Sequence, residues 1–276
     1  MKKIEVVAIK TDKLLNQISF LVPEANYNYA GKLLRKKDIR VNDVKVDENI
    51  IVKAGDKLTV FISETRETKH YEQVFENDDI VVVNKKKGIE TAGDNSLETE
   101  IKDVYAVHRL DRNTEGLVLF AKSLEVKSQL VKVFEADKLE KFYLAEVIGH
   151  PKQNELVMNA YLVKDEEAAE VKIYNNMVPG AVKIKTGYQV LKSGTATSIL
   201  MVQLFTGKTH QIRAHLAYIG HPILGDGKYG KTDKRFAEKT PKLFCHKLQF
   251  KKLEGKLSYL SNKAFIIWPD WFKKKS

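Results

Sequence analysis

Three segments of the chain combine charged and polar side chains with residues that favour turns. They are HRLDRNTEG (108–116), GKTHQIRAHL (207–216) and GHPILGDGKYG (220–230). Turns held by a rigid scaffold are where catalytic and binding groups are commonly found. Reactive residues are therefore expected in these three segments.

Asp111 is the strongest candidate for a reactive group in the first segment. It lies between Arg109 and Arg112 and precedes a turn that contains Asn, Thr and Gly. Nearby positive charge favours the ionised form of a carboxyl group, so Asp111 could act as a nucleophile or a base. A structural ion pair would show the same pattern, and the first segment taken alone favours that structural role.

Arg213 is the candidate of the second segment. We predict a helix that is capped by Thr209, runs to about Tyr218 and stops before Gly220. Arg213 would lie in the first turn, where the helix dipole disfavours a cation. A carboxylate such as Asp111 or a substrate phosphate would compensate this charge, whereas a solvent-exposed arginine would need no partner.

The composition indicates a globular protein with an excess of positive charge. The 276 residues are 43% hydrophobic, and 47 Lys and Arg against 36 Asp and Glu give a formal net charge of +11. A basic chain favours a polyanionic partner, most commonly nucleic acid, although a lysine-rich protein without such a partner would look the same.

The chain is expected to be cytoplasmic and not associated with a membrane. Cys245 is the single cysteine, which excludes an intrachain disulfide and a cysteine-based zinc site and fits a reducing compartment. The N-terminal stretch is interrupted by charged residues and is not a signal peptide. No apolar run approaches the roughly 20 residues of a membrane-spanning helix.

The histidines and glycines of the last two segments do not indicate a metal or nucleotide site. His210, His215 and His221 have spacings of five and six, which do not match an i, i+4 pair of helical ligands. We interpret them as capping, core or RNA-facing residues and predict no metal. GDGKYG (225–230) matches neither a dinucleotide fingerprint nor a P-loop, and we predict a loop with positive φ.

Short strands with scattered helices predict the architecture that positions these segments. One helix should begin after Ser123 as its N-cap. Alternation in the strand after it places Lys141, Tyr143, Ala145 and Val147 on one face. Because no regular βαβ repeat occurs, we predict an α+β fold with a mixed, mainly antiparallel sheet. Its strands are predicted at 80–84, 116–123, 141–149, 182–185, 188–191 and 198–205.

A polar segment, Ser63–Gln73, is predicted to link two domains, 1–65 and 66–276. The first is a small α/β module with a short basic helix over 32–40, a hairpin at VNDVKV and a strand at GDKLTVFI. A solvated helix face is the alternative for the helix, but Asp38 is its only acid, which favours contact with phosphates. The basic cluster consists of Lys32, Arg35, Lys36, Lys37 and Arg40.

The motifs of the larger region together resemble a known family. HRLDRNTEGLVLFAKS (108–123) resembles the catalytic motif of pseudouridine synthases of the RluA type, which act on large-subunit ribosomal RNA and some transfer RNAs. IVVVNKKKG (80–88), KFYLAEVIG (141–149) and GKTHQIRAHLAYIGHPILGDGKYG (207–230) match further motifs in the family order, over residues 74–250. The N-terminal region more loosely resembles a ribosomal S-four-like RNA-binding module.

The resemblance implies a role for each matched residue. Asp111 would be the catalytic aspartate, and Arg109 would help to displace the target nucleotide from the RNA stack. Tyr143 would stack on the uracil, and Arg213 would pair with Asp111. The chemistry needs no redox step, phosphate donor or metal, so no cofactor is expected, and the chain is expected to be a monomer that binds RNA.

Two positions depart from the family pattern. Lys86 stands where proline usually follows lysine, and Glu115 stands where serine is usual. Lys86 would change the stiffness of its loop, and Glu115 would place a negative charge near the proposed site. The alternatives are a synthase directed to transfer RNA, a non-catalytic RNA-binding protein on the same scaffold, and a hydrolytic N-glycosidase that releases uracil.

Overall fold

The chain divides into two compact units in a computed structural model, Met1–Thr68 and Lys69–Ser276. The structure describes residues 2–62, 69–165, 167, 170–230 and 237–273. Most of the predicted linker, 63–68, lies outside the described residues. Its predicted end at Gln73 was wrong, because the chain from Tyr71 onward forms a strand paired with its neighbour.

The first unit packs two helices against a small antiparallel sheet. Four strands follow the order β1-β6-β3-β4, while β2 and β5 form a separate pair. The helices and strands contribute a common apolar core that includes Leu14, Ile18, Ile39, Leu58 and Val60. The elements are β1 (Lys2–Val7), β2 (Asp12–Lys13), α1 (Leu14–Leu21), α2 (Tyr27–Arg35), β3 (Ile39–Val41), β4 (Val44–Lys45), β5 (Ile51–Val52) and β6 (Lys57–Ile62).

The basic helix predicted over 32–40 was wrong in its bounds. The helix α2 begins at Tyr27, because the Asn26 side chain accepts the backbone N–H of Tyr29 as an N-cap, and it ends at Arg35. Only part of the basic cluster is therefore helical, and Arg40 lies on β3. The predicted hairpin is confirmed in β3 and β4.

The second unit is built on one large sheet with helices around it. Its elements are β7 (Tyr71–Glu76), β8 (Ile80–Lys85), α3 (Leu97–Ile101), β9 (Tyr105–Ala106), β10 (Glu115–Ala121), α4 (Leu124–Glu135), β11 (Leu139–Ile148), β12 (Glu155–Asp165), β13 (Glu170–Tyr174), β14 (Val182–Ser193), β15 (Thr197–Leu204), α5 (Gln211–Tyr218), β16 (Leu243–Phe250), a 3₁₀ helix (Gly255–Leu260), β17 (Ala264–Ile266) and α6 (Asp270–Lys273).

The sheet is mixed and mostly antiparallel, as the sequence predicts. Its order is β13-β12-β14-β15-β11-β16-β10-β8-β7, with β17 on β16 and β9 on β10. Among the described strands, β10 and β16 are the parallel pair. They meet at Gly116, whose φ is 113° and where a Cβ atom would lie 2.3 Å from the Cys245 carbonyl oxygen. This approach requires glycine.

Burial explains which sequence predictions succeeded. The apolar runs of β8 and β10 are buried, and α4 begins after Ser123, whose side chain accepts the N–H of Val126. The separate strands predicted at 182–185 and 188–191 were wrong, because Val182–Ser193 is one strand paired on both sides. None of the helices in the described part of the chain is long and apolar enough to cross a membrane.

Candidate active site

Asp111 lines a cavity of about 320 Å³ in the second unit. The cavity lies between the loop that precedes β10, the strand β11 and the start of α5. Arg109, Tyr143 and Arg213 line the same cavity. The structure thus brings together four residues that are up to 104 positions apart in the sequence. The apolar walls come from Val107, Val131, Phe134, Leu204, Ile212 and Leu243.

A buried lysine holds the loop that carries Asp111. Lys85 ends β8, its side chain is fully buried, and its Nζ donates to the carbonyl oxygens of Asp111 at 3.2 Å, Arg112 at 3.0 Å and Thr114 at 2.9 Å. Burial lowers the pKa of Lys85 to about 8. Sequence reasoning missed this residue, because Lys85 begins a run of three lysines that resembles a solvated surface tract. A lysine directly after a buried apolar strand was the available signal.

Arg213 joins two carboxylates from different loops. Its Nη1 donates to Asp111 Oδ2 at 3.2 Å, while its Nε and Nη2 donate to Asp226 at 2.7 and 2.9 Å. The Asp226 side chain is fully buried and also accepts the backbone N–H groups of Lys228 and Tyr229. Arg213 is therefore held mainly by Asp226, and its third nitrogen, Nη1, donates to Asp111.

The pKa shifts of this pair have opposing causes. Burial raises the pKa of Asp226, but the hydrogen bond and charge of Arg213 outweigh burial, so the pKa is lowered overall. Burial alone would lower the pKa of Arg213, but Asp226 and Asp111 outweigh burial and raise this pKa above its usual value. Asp226 lies within GDGKYG (225–230), which the sequence indicated only as a loop. A single carboxylate between two glycines was the available signal.

The helix α5 begins one residue later than predicted. Thr209 is not its cap. His210 occupies the N-cap position with a left-handed φ of 53° and no capping hydrogen bond from its side chain. This conformation turns the His210 ring into the cavity, where Nε2 lies 3.9 Å from Asp111 Oδ2 and Nδ1 lies 2.8 Å from the Tyr229 hydroxyl.

His215 and His221 lie outside this group. His215 is buried, with Nδ1 3.1 Å from Thr186 Oγ1, and burial lowers the pKa of His215 to about 4. His221 places Nδ1 3.2 Å from the carbonyl oxygen of Ile148. His210 is thus the histidine of the three that lines the cavity beside Asp111.

Tyr143 presents its ring to the cavity from β11 and is 5% exposed. Burial raises the pKa of the Tyr143 hydroxyl well above its usual value. The neighbouring Cys245 is fully buried, and burial raises the pKa of its thiol to about 12. The Tyr143 hydroxyl therefore stays protonated at neutral pH, where it can donate a hydrogen bond but not accept a proton as a phenolate.

Arg109 is the most exposed of the candidate residues, with 74% of its side chain accessible. Its Nη2 lies 3.6 Å from Glu90 Oε2. The backbone beside it is fixed, because Leu110 is buried and exchanges two hydrogen bonds with the Thr91 hydroxyl. The Arg109 side chain is therefore exposed at the cavity, while the backbone next to it is held by hydrogen bonds.

The two departures from the family pattern lie away from the cavity that contains Asp111. Glu115 begins β10 and lines a different cavity together with Trp268 and Trp271. Burial lowers the pKa of Lys85, and the charges of both Glu115 and Asp111 oppose that shift. Glu115 therefore does place a negative charge near the loop of Asp111, as expected, although its side chain does not line the cavity of Asp111. Lys86 forms an ion pair with Glu72 at 2.6 Å.

The basic cluster belongs to the first unit. Lys32, Arg35 and Lys36 are exposed. Lys37 pairs with Asp47 at 2.9 Å, which raises the pKa of Lys37 through the hydrogen bond and the charge of Asp47. Arg40 is half-buried with its guanidinium carbon 5.1 Å from the Phe61 ring centroid. Four cations of the cluster are therefore exposed, one of which is paired with Asp47, and the fifth is half-buried against Phe61.

Comparisons with known proteins place this geometry in a family. A profile of the RNA pseudouridylate synthase family matches residues 79–218, which contain Asp111, Tyr143 and Arg213. The chain is 30% identical over 248 residues to ribosomal large subunit pseudouridine synthase C of Vibrio cholerae, covering 78% of this chain and 76% of that protein. This chain belongs to the RNA pseudouridylate synthase family. It is therefore an isomerase that acts on RNA.

Further relatives of this pseudouridine synthase agree in sequence and in fold. A protein of Vibrio parahaemolyticus named dual-specificity RNA pseudouridine synthase RluA is 32% identical over 194 residues, which are 64% of this chain and 76% of that protein. The structure of human RNA pseudouridylate synthase domain containing 1 superposes with a TM-score of 0.60 at 20% identity, covering 77% of this chain and 97% of that one.

Proposed function

We propose that this pseudouridine synthase modifies uridines of large-subunit ribosomal RNA and that Asp111 is its catalytic carboxylate. The similarity to a protein named for the ribosomal large subunit supports the choice of RNA. The observation that carries the choice of Asp111 is its contact with Arg213 at 3.2 Å in a cavity with an aromatic wall.

The reaction breaks the bond between ribose C1′ and uracil N1 and joins the same C1′ to C5 of the rotated base. The proton that leaves C5 balances the one that N1 gains, so no redox partner is consumed. An ionised Asp111 can attack C1′ or remove a ribose proton to assist cleavage. Both routes need an anionic carboxylate, and Arg213 Nη1 donates to Asp111 Oδ2 at 3.2 Å.

The target uridine must leave the RNA stack to reach Asp111, at a cost of a few kcal/mol. Arg109 can enter the vacated space, since its side chain is exposed and its backbone is fixed. The Tyr143 ring supplies a face on which the displaced base can stack. The apolar walls exclude water, which would otherwise let the freed uracil escape.

Asp111→Asn tests the catalytic assignment. The amide keeps the shape of the side chain but cannot act as an anionic nucleophile or base, so RNA binding should persist while pseudouridine formation is lost. Activity within roughly tenfold of wild type, about 1.4 kcal/mol of barrier, would contradict the assignment. With the wild-type protein, free uracil in place of pseudouridine would identify an N-glycosidase, and tight RNA binding without any product would identify a non-catalytic binding protein.

The target RNA is tested by mapping pseudouridines in total RNA from cells with and without this protein. Loss of sites confined to large-subunit ribosomal RNA is the expected result. Loss of sites in transfer RNA alone would contradict the proposal. Purified ribosomal and transfer RNA should be treated in parallel, because a relative is named for dual specificity.

We propose that the first unit, Met1–Thr68, is an S-four-like module that binds RNA phosphates through Lys32, Arg35 and Lys36. Each phosphate contact changes the slope of log affinity against log salt by roughly 0.7 to 0.9. Replacing all three residues with glutamine should make the slope shallower and leave turnover at saturating RNA unchanged. Lys10, Lys45 and Lys53 are exposed lysines of the same unit, and their triple glutamine variant is the matched control. Equal slopes for the two variants would reject the role.

A further inference from the structure

Lys141 is a cation of the Asp111 cavity that has no hydrogen-bond or ion-pair partner in the described part of the chain. It lies on β11, two residues before Tyr143, and both side chains line the cavity. Its Nζ lies 5.1 Å from the centroid of the Phe134 ring. Among the described residues it forms no hydrogen bond and has no carboxylate within 4.0 Å.

The other buried cations of the site are compensated. Arg213 has two carboxylates, and Lys85 donates to backbone carbonyl oxygens. A partly buried ammonium group that makes no hydrogen bond is costly, because it loses hydration that the contact with the Phe134 ring replaces only in part. Burial accordingly lowers the pKa of Lys141. A charge kept at this cost in the cavity that Asp111 also lines indicates a ligand that supplies a partner.

His108 adds a second donor to the same wall. Its Nε2 is 3.0 Å from the backbone nitrogen of Leu119 and accepts that N–H, so the ring proton must sit on Nδ1. Nδ1 makes no hydrogen bond with the described residues. Burial and the charge of Lys141 lower the pKa of His108 to about 3, so the ring stays neutral and keeps this tautomer.

We propose that Lys141, with the Nδ1–H of His108 beside it, binds a negatively polarised oxygen of the target nucleotide. The proposal rests on the proposed role of Asp111, because it takes this cavity as the place where the nucleotide reacts. Two oxygens of that nucleotide have the required chemistry: a carbonyl of the uracil and a backbone phosphate.

The surroundings of Lys141 favour the uracil carbonyl. Lys141 lies over Phe134 and shares a strand face with Tyr143, so the donors border an aromatic space suited to a base. When the C1′–N1 bond breaks, the uracil keeps the electron pair and the negative charge spreads onto its carbonyl oxygens. An ammonium at this position is attracted more strongly to the departing base than to the uridine, which accelerates cleavage.

Lys141→Met and Lys247→Met form a matched pair of variants. Lys247 lies on the adjacent strand β16 with its Nζ 5.2 Å from the centroid of the Phe142 ring, and it does not line the cavity. Binding and single-turnover conversion of a ribosomal RNA fragment are measured over a salt series for both variants, for wild type and for Asp111→Asn.

Lys141→Met should slow conversion at saturating RNA roughly 10- to 100-fold, the effect of losing a charged hydrogen bond, with an unchanged salt slope. That result supports the uracil carbonyl. Weaker binding with a shallower salt slope and an unchanged rate supports the phosphate. Indistinguishable behaviour of Lys141→Met and Lys247→Met would overturn the proposal.

Thermal unfolding separates a ligand role from a structural one. Because Lys141→Met removes a half-buried charge that has no ion-pair partner among the described residues, the melting temperature should stay equal or rise while conversion falls. A fall in melting temperature that accounts for the lost activity would overturn the proposal. Failure of the catalytic assignment is distinguishable, because it would appear as retained activity in Asp111→Asn whatever Lys141→Met does.

Discussion

Replacing Asp226 with asparagine should destabilise the second unit and impair turnover, although Asp226 does not face the substrate cavity. In the folded chain Asp226 Oδ2 accepts the Arg213 Nε–H at 2.7 Å, and Oδ1 accepts from Arg213 Nη2 and from two backbone N–H groups. An asparagine can keep its oxygen at the Oδ1 position. Its NH₂ group would then meet the Arg213 Nε–H, donor against donor.

The loss of stability in Asp226→Asn depends on which contacts Arg213 retains. Removing one partner of a buried ion pair typically costs 3–5 kcal/mol. Arg213 retains Asp111 at 3.2 Å, so we expect the lower end, about 3 kcal/mol in the free energy of unfolding. For a unit of about 200 residues this corresponds to a fall in Tm of roughly 6–12 °C. Arg213 would also turn toward Asp111, and turnover should fall at least roughly tenfold.

Asp111→Asn is the matched control, because it removes the other partner of the same arginine. Asp111 is partly exposed and Arg213 keeps both contacts with Asp226, so the expected loss is below about 1 kcal/mol. Thermal unfolding and single-turnover assays of both variants at pH 7 measure the difference. Equal stability losses for the two variants would refute the reasoning.

The pH dependence of the same contact has a defined sign. The folded-state pKa of Asp226 is below its usual value. Its stabilising contribution is therefore complete above the unfolded value of about 3.9 and is lost as the pH falls below it. The stability difference between wild type and Asp226→Asn should be constant from pH 5 to pH 8 and shrink in stronger acid.

Three further outcomes are expected. Lys85→Met should loosen the loop that carries Asp111. The Thr114 amide should then exchange hydrogen faster, as measured by mass spectrometry, and turnover should fall roughly tenfold. Unchanged exchange would show that Lys85 does not hold this loop. Because burial lowers the pKa of Lys85 to about 8, wild-type turnover should decline as the pH rises through that value, and a flat profile to pH 9 would contradict this. Gly116→Ala should abolish soluble folding. Gly180→Ala, at a φ of 75° with nothing within 4 Å, adds backbone strain but no collision and should still fold in an expression and circular dichroism test.

The sequence predicted the parts of the fold that depend on local patterns. The buried strands β8 and β10 are short apolar runs, and the cap at Ser123 is a local side-chain contact. Helix bounds were less accurate: α2 begins before its basic residues, and α5 begins after a left-handed His210 instead of a capping Thr209. The start of α2 was missed although Asn26 is a local N-cap signal. The start of α5 depends on the left-handed backbone of His210, which composition does not show.

The sequence by itself determined the residue types of the site and their order along the chain. Asp111, Tyr143 and Arg213 were identifiable because their motifs are local strings of residues. Only the tertiary structure decided which residues hold these side chains in place. Asp226 accepts hydrogen bonds from Arg213, and Lys85 donates to the loop of Asp111. These contacts join segments that are 13 and 26 residues apart. The strength of these contacts comes from burial, because water weakens an ion pair. Water is excluded only when strands that are distant in the sequence pack around the pair. No local pattern of residues encodes that burial.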